Sequence, residues 1–465
     1  MFKTIYKREL QNNLISLRFQ IALVMILSVF IIGTFSYVKG YKTRIQNYTE
    51  IHRQFIQEMQ NDAQANASHL ATNERLYQLQ PRGNGFISDC KEKYLPNAIT
   101  FSAYNVFSFS NRSGSTNPFL YQFQELSWSF IATLIISFVV LLFTFDAVSG
   151  EKETRTLAIT LSNPFSRGTL LLGKYASAIT ITMLISFIGM ILSVLIILIS
   201  NQVALSRQFF LEWTGFLLLQ LLLISCMAAF GLLSSVLVKN SNISLLIALT
   251  FWLIFAVVIP NSSTFFARKI FAIEKENTIQ TKIDQVFEDL DRNAPEGSWA
   301  MNYSLPFAPE HRLRKDLQMK RQEAEKLIRD SYYHDMFRQF EKTRYLTLLS
   351  PLSLLEYMTE SVVGGGYARF KKVWNDMHIY QSQLLSFFKD LDMSDSDSPH
   401  WYNPREDVST TRKPVAFEKV PLFEEKAMSF SERFSSVLIY LTICVVYNCI
   451  IFFVKFVFFV RYDAR

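Results

Sequence analysis

The sequence predicts an all-α integral membrane protein with six transmembrane helices. Half of its 465 residues are hydrophobic, Phe alone occurs 42 times, and only 19% of the residues are charged. An average soluble domain carries about a quarter charged residues, so this chain holds more apolar surface than one soluble core needs. Six apolar stretches are also long enough for a helix to cross a hydrocarbon core of about 30 Å.

The six predicted spans are residues 19–38, 126–148, 175–200, 213–238, 243–265 and 434–460. The first is too long for the apolar part of a signal peptide, and no small-residue cleavage site follows it, so we expect a permanent span. The last contains Lys455, whose long stem is expected to carry its ammonium group to the membrane interface.

The distribution of Lys and Arg predicts the orientation of these spans. With the N-terminus inside the cell, the cytoplasmic segments are 1–18, 149–174, 239–242 and 461–465. Together they hold 11 basic and 4 acidic residues, whereas residues 266–433 on the other side hold 25 basic and 27 acidic residues. Because basic residues collect in cytoplasmic loops, both termini are predicted to be cytoplasmic. The excess of positive charge therefore fits inner loops better than a nucleic-acid binder.

Two polar regions surround the first span. Residues 1–18 are predicted to form an amphipathic helix in the membrane interface, the simpler alternative being the polar end of span one. Residues 39–125 form a first extracytoplasmic region. It is predicted to be helical from Arg44 to Leu79 and to break at Pro81–Gly85, a turn-forming cluster.

The larger extracytoplasmic region, residues 266–433, is predicted to be a mostly helical domain. Ile279 and Ile283 begin one apolar stripe at helical spacing. Ser350-Pro351 is expected to open a further helix, and Gly364–Gly366 to break it.

The segment between spans two and three, residues 149–174, carries the most information about mechanism. We call it the elbow. Ser149 is expected to cap a short helix, Pro164 to stop it, and Ser166 to cap the helix that enters span three. Leu157, Ile159 and Leu161 are expected to supply packing contacts. Such an elbow could transmit force from a soluble partner to the spans, although an ordinary cytoplasmic loop is equally compatible with these residues.

The elbow resembles the signature of ABC-2 type permeases. The matching residues are Asp146, Ser149, Gly150, Glu151, Lys152, Glu153, Thr156, Leu157, Leu161, Ser162, Pro164, Ser166, Arg167, Gly173 and Lys174. The sequence departs from the signature at Arg155, where the family usually has glycine. The larger polar region, with Leu349–Leu355 followed by a glycine break, is similar to the branch called DUF3526. That branch includes the permease of the nitrous-oxide-reductase maturation system.

The resemblance implies a non-catalytic permease in the inner membrane of a bacterium. The elbow would be a coupling helix that docks on a separate ABC ATPase, which binds ATP and Mg, so that this chain needs no cofactor of its own. Glu151, Glu153, Arg155 and Arg167 would be the charged docking or bracing groups, with Thr156, Leu157 and Pro164 as shape determinants. Further expected partners are a second, identical or similar permease, membrane lipid and a periplasmic protein, but no nucleic acid.

Two alternatives to export by such a permease stay open. One is a membrane-anchored receptor or scaffold that acts through the extracytoplasmic helical domain. The other is a mechanotransmission ABC protein, which drives periplasmic machinery without moving a substrate through itself. The substrate cannot be identified from the sequence.

Other motifs do not support an enzyme or a metal site. Gly168–Lys174 nearly matches a phosphate-binding loop, but Tyr175 stands where a Ser or Thr should ligate magnesium. Asp390, Asp392, Asp395 and Asp397 do not follow the calcium-loop pattern. The six histidines show no zinc-ligand spacing.

Overall fold

The computed structural model describes residues 2–111, 126–162, 166–203, 206–299, 309–401 and 409–461. Most of these residues are helical, which confirms the predicted helical class. Among them, five helices are long and apolar enough to cross a membrane, and they coincide with predicted spans one, three, four, five and six. Predicted span two is a shorter apolar helix.

The first two helices are α1 (Phe2–Ile15) and α2 (Leu17–Ala65). Ser16 separates them, because its side-chain oxygen accepts the N–H of Phe19 and so caps α2. With 49 residues, α2 is about 74 Å long, so span one continues far beyond a bilayer. The helix expected to run from Arg44 to Leu79 therefore ends early, at Ala65. Asn66 is extended there and caps the next helix.

A small antiparallel sheet follows the short helix α3 (Ala67–Thr72). Its strands β1 (Arg75–Gln78), β2 (Ala98–Phe101) and β3 (Ser108–Ser110) lie in sequence order. In the register, Arg75 pairs with Phe101 and Ala98 with Ser110. The predicted all-α class did not include this sheet, and the helix expected to reach Leu79 was wrong over β1. Tyr77 and Phe101 from these strands pack edge-on against Phe55 of α2 and Tyr380 of a later helix, so tertiary packing decides the conformation.

Span two corresponds to α4 (Trp128–Leu142), whose middle, Ile131–Ile136, is π-helical. The chain then turns through Phe143, Thr144 and Phe145, all buried. A non-helical end of a span is tolerated where protein covers it.

The elbow contains α5 (Ser149–Glu153) and α6 (Thr156–Leu161), and the remaining central spans are α7 (Arg167–Ser200), α8 (Arg207–Leu237) and α9 (Ser241–Ile270). The stretch that resembles a phosphate-binding loop, residues 168–174, is part of α7. Within α9, residues 254–258 are π-helical. They end two residues before Pro260, which has no N–H to donate to the preceding turn.

Two antiparallel helices, α10 (Glu276–Arg292) and α11 (Pro309–Thr347), come next. Ile279 and Ile283 are the buried residues of α10, as the apolar stripe predicts. The helix α12 (Pro351–Val363) is opened by Ser350, whose side chain accepts the N–H of Ser353.

Helix α12 packs among the spans instead of in the polar domain. Leu352, Leu354 and Leu355 share one buried core with the spans. Ser350 donates a hydrogen bond to the carbonyl of Phe255 in α9 at 2.7 Å, and Tyr447 of the last span donates to the carbonyl of Leu349 at 3.0 Å. The loop at the start of α12 therefore reaches the middle of two spans.

Gly364 and Gly366 have positive φ values of 69° and 63° and confirm the predicted break. The last helices are α13 (Gly366–Met393) and α14 (Phe430–Arg461). A second core joins the far end of α2, the sheet, α11 and α13, and we call this body the helical domain.

Candidate functional site: the elbow

The two short helices of the elbow meet at Arg155. This residue has a left-handed backbone (φ 58°, ψ 17°) and occupies the N-cap position of α6. A side chain in this conformation costs about 1 kcal/mol, which glycine avoids. The departure of this chain from the ABC-2 signature thus falls on a backbone geometry that favours glycine.

Ser149 does not cap α5 as expected. It lies inside the first turn, and its hydroxyl donates to the carbonyl of Phe145 at 3.0 Å. The cap comes from α8 instead: Ser235 Oγ accepts the backbone N–H groups of Val148 and Ser149, each at 2.9 Å. Sequence reasoning could not find this contact, because Ser235 lies 86 residues away.

A buried lysine joins the elbow to α1. Lys174 Nζ lies 2.7 Å from Glu151 and 2.9 Å from Glu9, and only 4% of its side chain is exposed. The two carboxylates supply the opposite charge that a buried ammonium group needs. Glu151 is therefore turned towards the interior of the protein.

Lys152 and Glu153 attach the elbow to the α8–α9 connection. Lys152 donates to the carbonyls of Val236 and Val238 at the end of α8. Glu153 accepts the N–H of Ser241, the first residue of α9, at 3.0 Å. The hydrogen bonding from Ser241 holds the pKa of the exposed Glu153 carboxylate below its usual value.

Arg167 attaches the elbow to the last span. Its Nη1 donates to the carbonyl of Val460 at 2.9 Å and to that of Phe459 at 3.4 Å, where a cation suits the C-terminal end of a helix.

Ser166 caps α7 by accepting the N–H of Thr169 at 3.2 Å, as the sequence predicts. Just before the elbow, Asp146 pairs with Arg18 of α2 at 2.7 Å.

The apolar residues of the elbow divide into two groups. Leu157 is buried, and Leu161 packs against the same cluster. Ile159, expected to pack as well, is 70% exposed, so that prediction was wrong. In a helix, Ile159 lies two residues after Leu157 and so points to another face. Arg155 and Thr156 are also exposed, and Pro164 lies outside the described residues.

Sequence reasoning missed several contributors to this site. Glu9 and Ser235 carried no signal, because each acts only through contacts with distant parts of the chain. Ile159 was named, but as a packing residue, because its apolar character does not show which way its side chain points. Lys174 and Glu151 were visible as motif residues, yet their pairing with each other and the contact of Lys174 with Glu9 were not.

The acidic loop is held by contacts within the chain. Asp395 bonds to Lys413 at 2.7 Å and to Thr410 at 3.0 Å. In the described part of the chain, no group of three or more His, Cys, Asp or Glu residues could hold a metal ion.

Comparison with known proteins identifies a matching family and a relative. A family model described as ABC-2 family transporter protein matches residues 3–463. The probable ABC transporter permease protein NosY of Pseudomonas aeruginosa is 41% identical over 59 residues, which cover 13% of this chain and 22% of that relative. The similarity to this relative thus spans about a fifth of its length.

Proposed function

The chain belongs to the ABC-2 family of transporter proteins, and from this membership we propose that it is the permease subunit of an ATP-driven exporter. A separate nucleotide-binding subunit hydrolyses ATP with Mg, and the elbow receives its motion. In this arrangement the elbow and both termini face the bacterial cytoplasm, and the helical domain lies outside the inner membrane. Six helices, with α4 as the second, form the membrane part, and two permease chains assemble around the pathway.

The observation that carries the proposal is the attachment of the elbow to five helices. Lys174 bonds it to α1, Lys152 to α8, Glu153 to α9 and Arg167 to α14, and the elbow continues covalently into α7. An ordinary loop would move alone. This elbow can move only with the helices that it holds.

The contacts separate docking groups from bracing groups. Glu151 and Arg167 have partners within the chain and brace the elbow. Arg155, Thr156 and Ile159 project from it, and they supply the docking face for the ATPase. Glu153 does both, because it is exposed while it holds the start of α9. The resemblance of one segment to the NosY permease supports the same partner class.

Capture of the cognate nucleotide-binding subunit tests this assignment. Ile159→Asp places a charge in the docking face and should weaken capture by about thirtyfold, the loss typical of an interface hot spot. Ile379→Asp is the matched control, because Ile379 is a comparably exposed isoleucine (57%) in the helical domain. Undiminished capture and ATP hydrolysis with Ile159→Asp would remove the docking assignment.

A second candidate function is mechanical transmission to the helical domain or to a periplasmic protein bound there. One observation favours it: a continuous chain of polar contacts runs from the helical domain to the ends of α8 and α14. We call it the ionic chain. Its members, in order, are Glu425, Arg369, Glu92, Arg82, Asn84, Glu212 and Arg433, with successive distances of 2.6, 3.2, 2.6, 3.3, 2.7 and 3.0 Å.

Spin labels distinguish the two functions. In a background without native cysteines, labels at the exposed positions Ile379 in the helical domain and Leu211 in α8 report the distance between these two parts. Mechanical transmission predicts that ATP changes this distance in the assembled transporter and that Arg82→Gln abolishes the change. A distance that does not respond to ATP would eliminate the mechanical function and leave transport.

A further inference from the structure

A cavity of about 630 Å³ lies where the helical domain meets the ends of the spans. Its walls come from α2, the loop at residues 80–84, the start of α8, the end of α12, α13 and the segment at residues 423–428. This volume falls within the range of about 300–1,000 Å³ that is usual for small-molecule sites. The cavity lies at the end of the spans opposite to the elbow.

The charges around the cavity leave hydrogen-bond donors in excess. Both carboxylate oxygens of Glu212 accept protein donors, from Gln208, Arg433 and Asn84. Both oxygens of Glu425 accept from Arg369. The carboxylates of the inner wall are therefore already engaged, apart from that of the rim residue Glu424, which is exposed.

Several donors of the same walls remain available. Arg433 uses Nε for the carbonyl of Met428 and Nη1 for Glu212, while its Nη2 makes no hydrogen bond within the described residues. Lys426 is exposed and, within those residues, has no ion-pair partner. Lys372 has a loose pair with Asp376 at 3.4 Å. A ligand that fits this wall must bring acceptors, and preferably negative charge.

A second wall of the cavity is aromatic. His52 stacks on Tyr48 with ring centroids 5.5 Å apart and meets Tyr77 edge-on at 6.3 Å. Tyr77 in turn meets Phe423 edge-on at 4.9 Å. Such rings bury apolar or aromatic groups, and the tyrosine hydroxyls add a polar edge. The cavity thus combines a donor-rich wall with an apolar one.

We propose that this cavity binds an amphipathic anion, a molecule that carries a phosphate or carboxylate group on an apolar or aromatic body. Phosphate oxygens would meet Arg433 and the two lysines, and the apolar part would lie on Tyr48 and Tyr77. Because the cavity adjoins the ends of α8 and α14, an anionic lipid could supply this chemistry, as could a free phosphate compound. The inference rests on the proposed function only where it regards the ligand as cargo.

Binding to the purified permease, without its ATPase, tests the site. The chain is placed in a neutral detergent and titrated with dihexanoyl phosphatidylglycerol, dihexanoyl phosphatidylcholine or inorganic phosphate, with binding measured by calorimetry. We expect the anionic lipid to bind about tenfold more tightly than the zwitterionic one, and its affinity to fall as salt rises. Inorganic phosphate should bind more weakly, because it does not use the aromatic wall. If it binds as tightly as the lipid, the amphipathic part of the proposal is wrong.

Variants of residues outside the ionic chain test the site and provide its control. Lys372→Gln with Lys426→Gln should weaken binding of the anionic lipid by about tenfold, the product of two partly exposed charge contacts. Lys320→Gln with Lys389→Gln removes the same charge from exposed positions elsewhere on the helical domain and should leave affinity within about twofold. Tyr48→Leu tests the aromatic wall independently.

Equal loss in both lysine pairs would overturn the site, since only net charge would then matter. Equal affinity of the wild-type chain for the two lipids would overturn the anionic specificity. Neither result bears on capture of the ATPase, which is measured at the elbow. Failure of this site and failure of the proposed function are therefore distinguishable.

Discussion

Replacement of Lys174 by methionine tests whether the elbow is held by its buried ion pairs. Lys174 lies 2.7 Å from Glu151 and 2.9 Å from Glu9, with 4% of its side chain exposed. Loss of one partner from a buried pair typically costs about 3–5 kcal/mol. The two carboxylates here retain about a fifth to a quarter of their exposure and can regain water, so we expect about 2–3 kcal/mol.

The measurement is reversible unfolding in mixed micelles, followed by tryptophan fluorescence. A double-mutant cycle with Glu151→Gln should give a coupling energy of about 1–2 kcal/mol between the two residues. Lys282→Met is the matched control, because Lys282 lies 2.7 Å from Glu274 and both side chains are about half exposed. Its loss should cost less than about 1 kcal/mol.

Equal destabilisation by Lys174→Met and Lys282→Met, or a coupling energy near zero, would refute the argument that burial strengthens these pairs.

Three further predictions follow from individual residues and are checked by thermal unfolding in detergent. Arg155→Gly should stabilise the chain by about 0.5 kcal/mol. Glycine removes the strain of the left-handed backbone, and this gain exceeds the extra conformational entropy that glycine gives to the unfolded chain. Arg155→Val should destabilise the chain instead. Lys455→Met should leave stability unchanged or raise it by about 1–2 kcal/mol. The reason is that the ammonium group of Lys455 is fully buried without a hydrogen-bond partner in the described chain. A lower melting temperature of the variant would show that the contacts of Lys455 with aromatic rings outweigh the cost of desolvation. Gly189→Ala should lower the stability by about 1–3 kcal/mol, because an added Cβ would lie 2.4 Å from Phe30. Gly40→Ala is the control. Only a flexible side chain lies near this glycine, so the change should be nearly neutral.

The spans and the elbow helices were predictable because their signals are local. A bilayer-length apolar run gives a helix whatever surrounds it. Ser166 caps α7 through an N–H only three residues away, and the glycines at 364 and 366 take the positive φ values that suit them. In each case the determining contact lies within a few residues, so the sequence alone contains it.

The features that could not be predicted depend on distant contacts. Serine is a residue type that often caps helices, yet Ser149 does not cap α5. Ser235, which lies on another span, takes that role. Lys455 was expected to reach the interface, but it is fully buried, with Nζ 3.5 Å from the ring centroid of Tyr175. A single sequence shows how polar a residue is. It does not show which neighbour supplies a partner.

The same limit explains why α12 was assigned to the polar domain. It follows the 39-residue helix α11, and its own 13 residues are too few to span a bilayer. Length therefore argued against membrane depth. Tyr447 and Phe255 nevertheless bond to the loop at its start, and its leucines complete the core between the spans.

Three continuous helices connect the elbow to the cavity. Helix α2 is held near the elbow by Arg18 and lines the cavity with Tyr48. Helix α8 caps the elbow with Ser235 and lines the cavity with Glu212. Both are continuous between these points.

Helix α14 completes the connection. Arg167 donates a hydrogen bond to the carbonyl of Val460 near the C-terminal end of α14, and Arg433 near the N-terminal end of α14 lines the cavity. A continuous helix transmits a displacement along its axis, because each residue is hydrogen-bonded to the next turn. A shift of the elbow against these three helices must therefore change the relative positions of Tyr48, Glu212 and Arg433. If the elbow docks the ATPase and the cavity binds the anionic lipid, as proposed, the two sites are coupled. Linkage then predicts that the lipid changes the affinity for the ATPase by the same factor by which the ATPase changes the affinity for the lipid.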